Sequence, residues 1–117
     1  MTKSIEEFHC HVYYSTETRE SAQQLRTMML HLAGGRLQLS SLSDGPRGPH
    51  VPPMFGISLE AKDLAEVVGF LMQNHGPHPV LLHPETGNDL LDHTIHAFWL
   101  GGVQELNLSI FKKIDQA

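Results

Sequence analysis

The stretch Phe8-His-Cys-His-Val-Tyr-Tyr14 decides the fold, because it reads as a β-strand with two different faces. Aromatic and β-branched residues favour strands, and successive side chains of a strand point to opposite faces of the sheet. The apolar face holds Phe8, Cys10, Val12 and Tyr14, and the other face holds His9, His11 and Tyr13. We expect the first face to pack in a core and the second to carry chemistry, with Cys10 a small apolar core residue and not a nucleophile.

Two amphipathic helices are predicted from apolar residues that recur every three or four positions. The first follows a cap at Ser15 or Thr16 and stops at the Gly34-Gly35 pair. The second begins near Ala61 and stops at Gly76. Both helices are long enough to cover one face of a small sheet.

Three more strands are predicted, over residues 36–40, 54–59 and 79–83. The loop 41–53 between the first two contains four prolines and two glycines, which exclude regular structure there. The alternation in 105–111 indicates a possible extra strand near the C-terminus. Trp99, just before it, is expected to pack and not to stack on a substrate.

The order strand, helix, strand, strand, helix, strand predicts an α+β domain with the ferredoxin-like split βαβ topology. Its four-stranded antiparallel sheet has the order 4-1-3-2, with both helices on one face. The other face is left bare, and a bare face is often covered by a second copy, so a homodimer is expected. We expect one domain over 1–117, with 1–6 and 112–117 frayed.

This topology brings histidines together at one end of the sheet. His9 and His11 share a face of the first strand, and His83 closes the fourth strand, which runs antiparallel beside the first. Three imidazoles there can converge on one metal ion. His-x-His alone is about as often a pair of solvated side chains, so the prediction depends on the topology.

Other polar side chains are candidates for a catalytic or binding role. His93 and His96 share a face only if their segment is helical, and Asp92 could orient a ring from behind. The alternative makes Asp89 and Asp92 helix caps and His96 a residue at the edge of the core. Tyr13 could contact a substrate or act as a proton donor, although a half-buried cross-strand tyrosine is the commoner case.

Composition limits the kind of partner. The 117 residues have a formal net charge of −5 and a pI near 5.9, which argue against nucleic acid, since binding phosphates needs a basic face. No apolar run is long enough to cross a bilayer, and the polar N-terminus does not read as a signal peptide. Cys10 has no partner for an internal disulfide. Together these features predict a cytoplasmic protein.

Four motifs in register resemble the DOPA 4,5-dioxygenase family, the fungal type with bacterial relatives. They are 8–14 FHCHVYY, 48–55 GPHVPPMF, 71–76 LMQNHG, and 82–90 LHPETGNDL continued by 92–101 DHTIHAFWLG. The resemblance spans about residues 7–101. It implies a ferredoxin-like domain that cleaves a catechol, DOPA-like or caffeate-like, with O₂ at a non-haem Fe(II), in an extradiol reaction.

The histidines that match the family motifs divide into two groups. We assign His9, His11 and His83 as metal candidates, and His50, His93 and His96 as acid/base or phenolate partners, any of which could replace a metal candidate. Arg47, or Arg36, could meet a substrate carboxylate.

The ligand set and the metal stay open at this point. Non-haem iron sites commonly use two histidines and a carboxylate, and Glu85, Asp89 and Asp92 are the nearby acids. Histidine clusters also bind zinc or nickel tightly. The rival interpretations are a non-catalytic dimer that binds zinc or a small aromatic ligand, and a zinc hydrolase.

Overall fold

The computed structural model describes residues 4–111. Its strands are β1 (Glu7–Tyr13), β2 (Gln38–Leu39), β3 (Met54–Glu60), β4 (Val80–Pro84) and β5 (Phe98–Leu100). Its α-helices are α1 (Arg19–Ala33), α2 (Leu64–Asn74) and α3 (Asp89–Asp92), and 3₁₀ turns cover Ala61–Asp63 and Leu108–Ile110. We expect residues 1–6 and 112–117 to be frayed, and of these 1–3 and 112–117 lie outside the described range. Within that range no helix has the length and apolar character needed to cross a membrane.

The strands form one antiparallel sheet in the order β2-β3-β1-β4-β5. The order of the first four confirms the prediction of 4-1-3-2 and the α+β class. β1 lies in the middle and pairs with β3 and β4 along most of its length. Because β1 is central, both of its faces lie against other parts of the chain. One face of β1 contributes to the core and the other carries histidines.

The apolar face of β1 packs against both helices, as predicted. Cys10 and Val12 are fully buried there, together with Phe55 and Ile57 of β3. The helices contribute a row of side chains to the same cluster: Ala22, Leu25, Met29, Ala33, Val67 and Leu71. Burial raises the pKa of the Cys10 thiol to about 12, so it stays protonated and packs as an apolar group.

The opposite face of the sheet is partly covered by the chain itself. Tyr13, Met54 and Leu81 form a second buried cluster. Ala97, Trp99 and Leu106, from the segment after α3, pack over them. The prediction that Trp99 packs is confirmed. The argument for a homodimer assumed a face bare along its whole length, and this segment shortens the part that a second copy would have to cover.

Three local predictions were wrong. The extra strand is Phe98–Leu100, paired with β4, and not 105–111, where the chain forms a single bridge from Leu106 to His50 and then a 3₁₀ turn. β2 has two residues only. α1 begins at Arg19 after Thr18, because residues 15–18 form a tight turn in which the Ser15 amide donates to the Thr18 hydroxyl. The stop at Gly34 is confirmed, with φ of 57°.

Candidate metal and catalytic centre

The pairing of β1 with β4 places His9 directly opposite His83, and His11 lies two residues along the same face. The Nε2 atoms of His11 and His83 are 3.1 Å apart. Each of the three rings offers a nitrogen within 4.8 Å of the other two. The convergence expected from alternation and topology is therefore present.

Two further histidines join these three. The ring centroid of His50 is 3.9 Å from that of His11, and the ring centroid of His93 is 4.1 Å from that of His83. His11, His50 and His93 also form a group whose ring nitrogens lie within 4.8 Å of one another. The histidine cluster consists of His9, His11, His50, His83 and His93.

Loop hydrogen bonds hold His50 in place. The backbone N–H groups of Arg47 and His50 each donate to the other residue's carbonyl, at 3.0 and 2.9 Å. The Asn107 amide donates to the Pro49 carbonyl at 2.7 Å, which ties the loop to the C-terminal segment. These contacts fix a proline-rich loop against the sheet, and His50 is only 4% exposed.

α3 presents His93 to the same place. Asn88 caps this short helix by accepting from the Leu91 amide at 3.1 Å. His93 follows as its last turn closes, and its ring lies 4.8 Å from that of Phe111. His93 is 8% exposed, and the Phe111 side chain covers the cluster on this side.

Backbone carbonyls fix the orientation of two rings. The Nδ1–H of His83 donates to the Pro84 carbonyl at 2.9 Å, and the Nδ1–H of His93 donates to the Asp89 carbonyl at 2.7 Å. A carbonyl oxygen only accepts, so the proton of each neutral ring is on Nδ1 and its Nε2 has a free lone pair. This is the state that a metal ligand or a general base requires.

Burial keeps three rings of the cluster, those of His11, His50 and His83, uncharged at neutral pH. Desolvation, helped by the neighbouring histidines, lowers the pKa of His50 to about 4. Desolvation also lowers the pKa of His83 to about 4, against the opposing effect of its hydrogen bond to Pro84. The pKa of His11 is lowered well below its usual value for the same reason. At neutral pH these rings are free to bind a metal without first losing a proton.

Two carboxylates, those of Glu85 and Asp92, contact histidine rings. A Glu85 oxygen lies 3.4 Å from Nδ1 of both His9 and His83, and burial raises the pKa of its carboxyl. Asp92 is 1% exposed and accepts from the Thr86 amide, the Thr86 hydroxyl and the His96 ring, at 2.8, 2.6 and 3.0 Å. Burial opposes ionisation of Asp92, but these hydrogen bonds lower its pKa overall.

One predicted site residue, His96, lies apart from the cluster, and another, Tyr13, contacts the cluster through His50. Asp92 orients His96 and not His93, and the His96 side chain is 38% exposed. Tyr13 is 1% exposed, and its hydroxyl lies 2.7 Å from Nδ1 of His50, so it meets a histidine in place of an open surface. The alternative that Asp89 and Asp92 cap a helix is wrong, because both lie within α3, whose caps are Asn88 and His93.

An open pocket of about 360 Å³ adjoins the cluster. His9, His11 and Arg47 line it, together with Ser40, which follows β2, and Ser58 of β3. No carboxylate pairs with Arg47 within residues 4–111. Arg36, the alternative, is already bound to Asp63 and Glu66. Of the two arginines, Arg47 is the one placed to meet an anion beside the histidines.

The donor set fits a transition-metal ion. Two nitrogens bound to one ion at zinc-type distances lie about 3.0–3.4 Å apart. The separation of 3.1 Å between the Nε2 atoms of His11 and His83 matches this spacing. Imidazole nitrogens suit iron, zinc, copper and nickel alike, so the donors fit a metal without selecting one.

A sequence model of the Dopa 4,5-dioxygenase family matches residues 8–110. The chain belongs to the Dopa 4,5-dioxygenase family. It is 30% identical to a DOPA 4,5-dioxygenase from Amanita muscaria over 116 residues, and 29% identical to an uncharacterized 21.2 kDa protein from Botryotinia fuckeliana over 119. Each match covers 93% of this chain.

The chain is also similar to a solved structure. A crystal structure of a candidate dioxygenase from Nostoc punctiforme is 33% identical, has a TM-score of 0.83, and is matched over 92% of this chain and 95% of that one. By contrast, this chain spans about half of the Amanita protein, 51%, and 65% of the Botryotinia protein. The similarity to the family therefore concerns the domain that carries the histidine cluster.

Sequence reasoning missed some residues of this centre. The carbonyls of Pro84 and Asp89, which orient His83 and His93, carry no side-chain signal. Phe111 was assigned to a strand and in fact lies against His93. The polar lining of the pocket, such as Ser40 and Ser58, has no distinctive spacing. Only the alternation of β3, which places Ser58 on the face opposite Ile57, could have suggested it.

Proposed function

We propose that the chain is an extradiol dioxygenase that cleaves a catechol, DOPA-like or caffeate-like, with O₂ at a non-haem Fe(II). The observation that carries this proposal is the cluster of five histidines beside an open pocket, three of which burial keeps uncharged. Membership of the Dopa 4,5-dioxygenase family supports it.

For the metal we propose His9, His11 and His83 as ligands. Their nitrogens converge on one face of β1 and β4, and Glu85 supports two of the rings from behind. A bound Fe(II) would supply Lewis acidity toward the catechol oxygens and a centre for O₂. Zinc or nickel could occupy the same donors in protein purified without added iron.

Proton transfer and contacts to the substrate oxygens are assigned to histidine side chains. His93 has a free Nε2 lone pair and can accept the proton of a catechol hydroxyl. His50, whose ring lies against that of His11, can interact with the phenolate or with oxygen. His96 is the third acid/base candidate, and its partial exposure suits exchange of protons with solvent.

Arg47 gives the pocket a preference for anionic substrates. It is exposed, lines the pocket beside His9 and His11, and has no carboxylate partner among the described residues. Guanidinium binds carboxylate with paired hydrogen bonds. We propose that it receives the side-chain carboxylate of the catechol.

Two further proposals concern the setting of the enzyme. We propose a homodimer, with the second copy on the uncovered part of the sheet face. We also propose a cytoplasmic location, which agrees with the buried, unpaired Cys10.

Oxygen uptake tests the proposed reaction. The protein is stripped of metal, loaded anaerobically with Fe(II), and mixed with L-DOPA or caffeate in air-saturated buffer. We expect stoichiometric O₂ consumption and a yellow ring-opened product. Zinc-loaded protein is the matched control and should consume no O₂. Absence of uptake with every catechol tried, in protein shown to contain iron, would refute the dioxygenase.

A further inference from the structure

The contact between Tyr13 and His50 defines where the proton of the His50 ring lies. Both residues are buried, and 2.7 Å separates the Tyr13 hydroxyl from Nδ1 of His50. Among the described residues the hydroxyl has no other hydrogen-bond partner. If it accepted from Nδ1–H, its own proton would be buried without an acceptor, which is unfavourable. The hydroxyl therefore donates to Nδ1.

This arrangement is the opposite of the one at His83 and His93. Those rings donate from Nδ1 to backbone carbonyls, which leaves Nε2 without a proton. His50 accepts at Nδ1, which leaves the ring proton on Nε2. The partners at Nδ1 therefore divide these three rings into two with an Nε2 lone pair, His83 and His93, and one with an Nε2–H donor, His50.

We propose that Tyr13 is a positioning residue that holds His50 in the Nε2–H tautomer, so that His50 donates a hydrogen bond to the bound substrate or oxygen and is not a metal ligand. Distance alone places His50 with His11 and His93 as possible ligands, and the tautomer removes His50 from that set. The catalytic meaning of this assignment rests on the proposed function, but the tautomer does not.

The surroundings of Tyr13 are suited to this role. Its ring stacks on that of Trp99 with 5.9 Å between the centroids, and its backbone amide donates to the Pro79 carbonyl at 2.9 Å. Among the described residues the Tyr13 hydroxyl is bound only to His50, so it acts as a fixed donor. His50 can then polarise an anionic oxygen without any net proton transfer.

The tautomer can be measured directly. The whole chain is labelled with ¹⁵N at histidine, and two-dimensional ¹H–¹⁵N spectra at neutral pH, without metal and with Zn²⁺, show which nitrogen of each ring is protonated. The His50 signals are assigned with His50→Gln. We expect Nε2–H at His50 and Nδ1–H at His83 and His93. In Tyr13→Phe, His50 should lose the single Nε2–H form.

Tyr14→Phe is the matched control. Tyr14 is the next residue and is also buried, but its hydroxyl donates to Asp44 at 2.6 Å and touches no histidine. This variant should leave the His50 tautomer unchanged. Nδ1–H at His50 in the unmodified chain would overturn the proposal, even if Tyr13→Phe failed to fold. An unchanged His50 spectrum in folded Tyr13→Phe would overturn it as well.

Metal binding and kinetics give an independent readout. Tyr13→Phe and His50→Gln should bind one equivalent of metal as tightly as the unmodified chain, because neither residue is a ligand. In iron-loaded enzyme, Tyr13→Phe should lower kcat about 10- to 100-fold, in the range for residues that orient catalytic groups, with little change in KM. Loss of metal from His50→Gln would show that His50 is a ligand and refute the assignment. Because the tautomer needs no turnover, failure of the dioxygenase reaction would leave that result intact.

Discussion

At the scale of the residue, His83 has the best defined role in the cluster. It is 1% exposed, its Nδ1–H is bound to the Pro84 carbonyl, and its Nε2 lies against that of His11. Both ring nitrogens of His83 therefore have a partner. A ring held in this way loses little entropy on binding a metal, which favours high affinity.

Replacement of His83 by alanine should abolish metal binding. The variant removes one of the three proposed nitrogen donors, the Nε2 of a ring that the Pro84 carbonyl holds in orientation. A chelator competition followed by elemental analysis measures the affinity, which should fall by more than the roughly 10- to 100-fold typical of losses behind the ligands. His31→Ala, an exposed histidine in the last turn of α1, should bind metal normally. Full iron occupancy in His83→Ala would exclude His83 as a ligand.

Arg47 should discriminate between substrates by their charge. In Arg47→Gln, KM for a catechol with a carboxylate should rise about tenfold, because one charge-assisted hydrogen bond at an exposed site is lost. KM for plain catechol, which has no carboxylate, should stay the same in both proteins. Steady-state oxygen uptake measures both values. An equal rise for the two substrates would mean that Arg47 shapes the pocket and does not bind the carboxylate.

Single residues also show which features of the site can be predicted from the sequence. Alternation in β1 and antiparallel pairing with β4 are enough to bring His9, His11 and His83 together. They cannot tell which nitrogen of a ring faces the cluster, because that depends on partners such as the Asp89 carbonyl and the Tyr13 hydroxyl. Those partners are set by distances of tenths of an ångström and not by spacing along the chain.

At the scale of the element, the start of β4 is fastened to two other elements by His78. This residue is 1% exposed, its Nδ1–H donates to the Tyr13 carbonyl at 3.1 Å, and its Nε2 accepts from the Ser21 hydroxyl at 2.8 Å. One imidazole thus joins the segment before β4 to the end of β1 and the first turns of α1. Burial lowers the pKa of His78 below its usual value.

His78→Gln should destabilise the metal-free protein by about 1 kcal/mol at pH 8, because hydrogen bonds at both ring nitrogens are disturbed. As pH falls through the usual histidine pKa of roughly 6.5, the unfolded chain binds a proton at His78 before the folded chain does, so the unmodified protein loses stability. The variant has no such proton to bind. Urea unfolding at pH 8 and pH 5 should therefore show the gap narrowing at pH 5, and a gap that widens there would contradict the buried neutral ring.

Elements were predictable where a periodic pattern coincided with burial. The strands β1, β3 and β4 and both long helices followed from apolar spacing. The segment 105–111 alternates as a strand would, yet Leu106 packs on Tyr13 and Leu81, and only one bridge to His50 forms. β4 already has β5 as its outer neighbour, so the sheet offers this segment no edge beside β4. Pattern alone cannot tell which of two candidate segments reaches an edge first.

At the scale of the whole molecule, the two faces of the sheet carry separate tasks. The helices and the main apolar cluster lie on one face, and the histidine cluster and the pocket lie on the other. One layer of sheet separates the apolar cluster from the histidine cluster, and β1 contributes alternate residues to the two clusters. Changes under the helices should therefore alter stability without altering the donors that face the pocket.

Two neighbouring methionines of α1 provide the test. Met29 is fully buried in the helix-side cluster, whereas Met28 is 44% exposed. Met29→Ala should lower the free energy of unfolding by about 2–5 kcal/mol through the lost apolar contacts and the cavity left behind. Met28→Ala should change it by less than about 0.5 kcal/mol. Urea unfolding measures both, and metal affinity is measured under conditions where both variants are folded.

The decisive comparison is metal affinity in the folded Met29→Ala variant. Because the substitution leaves β1 in its register between β3 and β4, the ring nitrogens of His9, His11 and His83 should keep their spacing and their affinity for the ion. A loss of metal affinity that tracks the loss of stability would show instead that packing under α1 sets the geometry on the opposite face. In that case β1 transmits strain from the core to the site, and the two faces do not act independently.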